Sequence, residues 1–150
     1  MKHMKCIFGA MMALVLIFFA TSCTMESDES GALGGYWHLT AVDTLATGGT
    51  TALEDQLIFW SIQGTILQVS DQKNKEKDRI IFRYETDGSK LSIKEPRLSR
   101  RLEGDPLVDD ITMLTPYGIH ALTETFTIES NQSGKMVLKS SVLRLHLLRR

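Results

Sequence analysis

Residues 36–42 read YWHLTAV. Trp37, Leu39 and Ala41 fall on one face of this stretch, and Tyr36, His38 and Thr40 on the other. A period of two is the mark of a half-buried β-strand, because successive side chains point to opposite sides of the pleat. The texture recurs downstream. RIIFRYE (residues 79–85) puts Ile80, Phe82 and Tyr84 on one face. LTETFTIE (residues 122–129) alternates, and VLRLHLL (residues 142–148) aligns Leu143, Leu145 and Leu147. QLIFWSIQ (residues 56–63) is apolar on both faces, so Phe59 and Trp60 must point opposite ways.

The punctuation agrees with strands. GTILQVS (residues 64–70) follows closely enough to form a hairpin with the segment before it. DQKNKEK (residues 71–77) is a charged loop, and Asp87-Gly88 is a hairpin turn signal leading into KLSIK (residues 90–94). SNQSG (residues 130–134) reads as a turn before KMVLK (residues 135–139), and Ser140-Ser141 permits a tight reversal. No amphipathic helix of any length and no internal repeat interrupts this order. The chain reads as all-β, with about eight short strands joined mostly by short turns. A small antiparallel up-and-down β-barrel is the expected architecture, since closure removes exposed edges. A two-sheet sandwich is the alternative. Residues 95–117 are the exception. They hold Pro96, Pro106 and Pro116 among arginines and aspartates, and read as a long loop with a short strand at residues 111–114.

The first residues belong to a different kind of segment. MKHMK is basic, residues 6–19 are almost wholly apolar, and Ala20, Thr21 and Ser22 are small and precede Cys23. That order is a secretory signal peptide. The apolar run is shorter than the roughly 20 residues of a membrane-spanning helix. Small residues directly before a cysteine resemble the lipobox of bacterial lipoproteins, although Ala20 stands where leucine is usual. The resemblance implies cleavage before Cys23 and acylation of Cys23. It divides the chain into a signal at residues 1–22, a lipidated tether at residues 23–34 and a barrel domain at residues 35–150. The tether holds an acidic run, ESDES, which reads as a solvated linker and also resembles a surface-sorting signal. Cys6 leaves with the signal, so the mature domain keeps no free thiol and no disulfide. The expected location is the cell envelope, as an outer-membrane lipoprotein that meets the membrane only through its acyl chains.

Gly35-Tyr36-Trp37 opens the first strand, and the chain ends in Arg149-Arg150 after an apolar-faced last strand. This resembles the calycin superfamily, specifically small lipocalin-like lipoproteins of gut Gram-negative bacteria. The resemblance covers residues 35–150, and residues 95–117 do not map onto its barrel strands. It implies a tryptophan at the closed end of the barrel with a terminal cation packed over it. The face of Leu143, Leu145 and Leu147 continues to Arg149, and the face of Leu39 includes Trp37. Antiparallel pairing of first and last strands would therefore bring Trp37 and Arg149 together, as a barrel-closing pair.

Residues that carry chemistry are sparse. The formal charge is −1, which offers no basic field for nucleic acid. His38, His120 and His146 share no metal-binding spacing, and solvated surface histidine is the plainer reading of each. Asp105, Asp109 and Asp110 sit among arginines and read as a charged loop. Ser92, Ser99 and Ser133 lie in no nucleophile-elbow context. No catalytic residue, metal or cofactor is expected. Leu39, Phe59, Phe82, Tyr84, Phe126 and Leu145 are the candidates to line an apolar pocket for a small ligand. The other reading is that such side chains fill the barrel, and that the outer face with residues 95–117 binds a protein or a glycan. No feature identifies a protein partner. The two readings part on the interior: a cavity supports the first, a solid core the second.

Overall fold

The computed structural model describes residues 31–150. The expected signal peptide, Cys23 and most of the expected tether lie outside the described residues. Nine strands follow in order: β1 (Gly35–Thr44), β2 (Gly49–Ala52), β3 (Ile58–Gln63), β4 (Ile66–Asp71), β5 (Ile80–Thr86), β6 (Lys90–Leu98), β7 (Glu124–Gln132), β8 (Lys135–Lys139) and β9 (Leu143–Arg149). Neighbouring strands pair antiparallel, and β1 also pairs with β9, so the sheet closes. One edge of β1 is shared. Its first half pairs with β3, from Gly35↔Ile62 to His38↔Phe59, and its second half with β2, from Ala41↔Ala52 to Thr44↔Gly49. Eight strands thus complete the circuit, with β2 in line with β3. The result is an all-β, up-and-down antiparallel barrel, and the sandwich alternative falls with the β1–β9 pairing. Strand β2 escaped the sequence reading because all four of its residues are exposed, leaving no apolar alternation.

Other boundaries differ for local reasons. A bulge at Thr40 separates Leu39↔Leu147 from Ala41↔His146. The extra residue flips the alternation, so Val42, not Ala41, turns inward opposite Leu145. Thr40 Oγ1 donates to the His146 carbonyl at 3.1 Å, which holds the bulge. Strand β6 runs past its expected end through a second bulge, where Glu95 has φ 53°. Pro96 is tolerated there, as prolines are at bulges. Strand β7 continues through most of the expected SNQSG turn. The reversal is confined to Ser133 and Gly134, whose φ values of 52° and 74° match a tight hairpin turn.

Residues 95–117 are not a solvated loop. After β6 the chain makes three 3₁₀ turns, Arg101–Glu103, Ile111–Met113 and Thr115–Tyr117. The second replaces the strand expected at residues 111–114. The segment folds back on β6 through Leu98 N–H to Pro106 O and Val108 N–H to Pro96 O. It then drops Leu114 and Ile119, both fully buried, and Tyr117 into the core. These plug the end of the barrel at which β6 leaves and β7 begins. At the other end the connections are tight turns.

Candidate functional site

The barrel interior comes first, because an apolar ligand was expected there. Leu39, Phe126 and Leu145 are 0 % exposed and Phe82 is 1 %. Around them Trp37, Trp60, Leu67, Val69, Leu91, Ile93, Met136 and Leu138 are also at 0 %. Side chains with no surface that water can reach, from outside or from within, border no ligand-sized void. Trp60 meets Phe126 edge to face at 5.6 Å, and its Nε1 donates to the Tyr117 carbonyl at 3.1 Å, which fixes the plug to the wall. Leu39, Phe126 and Leu145 are core, not lining, and Phe82, equally buried, borders only a cleft on the outer wall. Tyr84 is half-buried, and its hydroxyl donates to Gly64 O at 2.6 Å.

Phe59 corrects the expectation further. It sits on the outer wall, stacked on Tyr36 at 4.5 Å and on His38 at 4.8 Å. The register explains it: Trp60 is opposite Trp37 and shares its inward face, while Phe59 is opposite His38. The signal was present in the sequence. Ile58, Trp60 and Ile62 form an unbroken apolar period of two, and Ser61 breaks the other face.

The structure brings Trp37 and Arg149 together. They are cross-strand partners, with the Arg149 guanidinium 4.6 Å from the indole centroid. Such a contact contributes about 0.5–2 kcal/mol. Arg149 also donates to Ala32 O at 3.1 Å, and Trp37 Nε1 donates to Leu33 O at 2.9 Å. Gly35 passes beside the pair at φ 141°, and a Cβ there would lie 3.5 Å from the guanidinium carbon. The incoming chain is thereby bound across the sealed end.

His38 is not solvated; it is 2 % exposed on the outer wall. Arg150 Nη2 lies 3.1 Å from His38 Nδ1, and since arginine can only donate, the neutral ring carries its proton on Nε2. That Nε2 is buried without a partner. Burial, then the Arg150 charge, hold the imidazole below its ordinary range, while Glu54 pulls the other way. With the folded pKa below the unfolded one, the unfolded chain binds the proton better. The His38 contribution to stability is therefore complete above about pH 6.5 and is lost as pH falls through the folded value. Thermal melts from pH 7.5 to 5 should show the wild type losing ground to His38→Phe, which keeps the stack without the titration. Parallel curves would sink this assignment.

His146 Nε2 donates to Asp43 at 2.8 Å, and the Asp43 carboxyl is held below its usual range first by that hydrogen bond and then by the one from Thr50. His120 is exposed, and its backbone N–H donates to Glu124. Among the described residues no three His, Cys, Asp or Glu side chains cluster as metal ligands would.

Two concave features lie on the outer wall of β3–β6, and two others, of about 340 and 580 Å³, border the plug segment and the β1–β2 turn. Two cross-strand rows cover the β3–β6 wall: Ser61, Gln68, Ile81 and Arg97, and beside them Gln63, Ile66, Arg83 and Lys94. The start of the plug segment stands over the first row. A cleft of about 780 Å³ is lined by Ser61, Gln63, Gln68, Ser99, Arg101 and Asp105 over Ile66 and Ile81. It adjoins a second of about 430 Å³ that shares Ile66 and Ile81 and reaches Tyr84 and Arg97. Arg83 pairs with Glu95 at 3.5 Å, and Lys94 pairs with Glu85. Arg97 donates to the backbone oxygen of Asp105 at 3.1 Å. Among the described residues neither Arg97 nor Arg101 has a carboxylate partner. The sequence reading offered the outer face and residues 95–117 as an alternative binding surface and named Phe82 and Tyr84, but not the other lining side chains, which are scattered over four strands and a loop.

The profile of a family described as a lipocalin-like domain matches residues 16–149. A crystal structure of a lipocalin-like protein from Bacteroides uniformis is similar over 80 % of this chain and 100 % of its own, at 19 % identity and a TM-score of 0.61. A protein from Bacteroides eggerthii is similar over 78 % of this chain and 98 % of its own, at 17 % identity and a TM-score of 0.58. At such identities the likeness concerns the fold. No curated protein matches the chain.

Proposed function

We propose, from the premise that this chain belongs to the lipocalin-like domain family, that it is a non-enzymatic binding module that uses the outside of a filled barrel. The observation that carries this reading is the interior, where Leu39, Phe82, Phe126 and Leu145, four of the six residues expected to hold an apolar ligand, are at most 1 % exposed. Family likeness to ligand carriers supplies a scaffold, not a site. Concavity, unpaired guanidiniums and exposed carboxamides are instead found together on the wall of β3–β6. In this reading the module is exported, and acyl chains on Cys23 hold it to the cell envelope, at the outer membrane. Support for that part comes from the basic start, the apolar run and the small residues before Cys23.

Native mass spectrometry on protein lacking residues 1–22 tests the filled barrel. The expected spectrum shows the bare polypeptide mass. A stoichiometric apolar adduct that survives delipidating chromatography would return the ligand-carrier reading. Radiolabelled palmitate tests the anchor separately. Label should enter the wild type and fall to background in Cys23→Ser; equal labelling would remove the lipoprotein assignment.

A further inference from the structure

Resting on the reading that the β3–β6 wall is the binding face, we propose that its ligand is a hydroxyl-rich saccharide bearing a carboxylate. The wider cleft is too polar for an apolar molecule. Its rim is Ser61, Gln63, Gln68 and Ser99, so hydroxyls and carboxamides alternate as donors and acceptors. That mixture suits a ligand whose every hydroxyl both gives and takes a hydrogen bond. The floor is apolar, with Ile66 47 % exposed and Ile81 beside it, and offers a surface for the C–H face of a sugar ring. The cleft's volume of about 780 Å³ falls in the range of small-molecule sites.

The charges select the class. Arg83 and Lys94 are neutralised by Glu95 and Glu85. Arg97 and Arg101 remain against the single carboxylate of Asp105, leaving one net positive charge across the two clefts. A guanidinium grips a carboxylate through paired N–H groups, a geometry that a neutral sugar does not use. A protein partner fits less well, because the clefts contain no Trp, and their aromatics, Phe82 and Tyr84, are buried or half-buried in the wall and do not protrude as the anchors of protein interfaces do.

Titration of protein lacking residues 1–22 tests this, since the buried core lies within residues 33–147. A uronic-acid tetrasaccharide, its neutral hexose counterpart and inorganic phosphate are compared by NMR amide shifts. The acidic tetrasaccharide should perturb β4–β6 and residues 99–107, and bind at least about tenfold tighter than the neutral one. Arg101→Gln should weaken it by about tenfold or more and erase the acidic preference, with melting unchanged. Gln68→Ala should weaken both sugars. Affinity should fall with added salt. Equal binding of both sugars at the groove, or phosphate binding as tightly, would overturn the ligand class and leave the groove standing. A photo-crosslinker at position 68 in intact cells separates the remaining cases. Crosslinks to protein alone, with no saccharide shift, would overturn the saccharide but keep the groove. Neither shift nor crosslink would overturn both.

Discussion

Gly118→Ala melts far below the wild type, on the order of 10–20 °C lower, and this is the harshest glycine-to-alanine change expected among the described residues. Two costs fall on one residue. Gly118 ends the third 3₁₀ turn at φ 80°, in the left-handed region, where a Cβ costs about 1–2 kcal/mol. That Cβ would also stand 2.6 Å from Leu145 Cδ2. Leu145 is fully buried and cannot retreat, so overpacking adds about 1–3 kcal/mol. The sum is a large share of the roughly 5–15 kcal/mol that a domain has in hand. Gly134→Ala is the matched control. Its φ of 74° is similar, but the nearest atom to its new Cβ is 3.7 Å away, so only the backbone cost applies. If the two variants melt alike, the plug does not press on β9 as described. Leu145→Val in the Gly118→Ala background should recover part of the loss, because contacting sites couple.

The second large effect is Trp60→Ala. Removing a fully buried indole from a packed core costs about 3–5 kcal/mol. The Tyr117 carbonyl also loses its donor, which adds about 1–3 kcal/mol if nothing replaces it. The cavity left behind faces Phe126 and the plug. Free indole should refill it and restore the bond to Tyr117, raising the melting temperature of the variant and not of the wild type. Engineered apolar cavities take up aromatic molecules in this way. Indole stabilising both proteins equally would mean that the native barrel already holds space and that its core is not filled.

What could be read from sequence follows from periodicity. Trp37 and Arg149 could be set opposite one another because the period of two runs unbroken from Leu39 to Trp37 and from Leu147 to Arg149. Across Thr40 the same logic failed, and it gave Ala41 where Val42 belongs. Nothing in a two-residue period announces a one-residue insertion. The plug was illegible for a related reason. Leu114, Tyr117 and Ile119 reach the core from 3₁₀ turns and irregular backbone, at spacings matching neither strand nor helix. Prolines and charges nearby gave the segment the look of a solvated loop. That misreading mattered for function, since a barrel without a plug has a mouth. Phe59 and Trp60 posed a choice that the sequence did answer, through Ile58 and Ile62, once pairing with β1 is considered.

The sealed end has a consequence for geometry at the scale of the membrane. The chain arrives there, pinned by Arg149 and by Asn131, both donating to Ala32 O, and by Trp37 donating to Leu33 O. For a molecule fixed at Cys23, the eight residues from Thr24 to Gly31 span at most about 28 Å. Such a leash attaches at the sealed end. In the proposed anchored state the tether would therefore leave from the sealed pole, opposite the plug. The groove lies on neither pole but along the flank, so an anchor at the sealed pole would leave it uncovered.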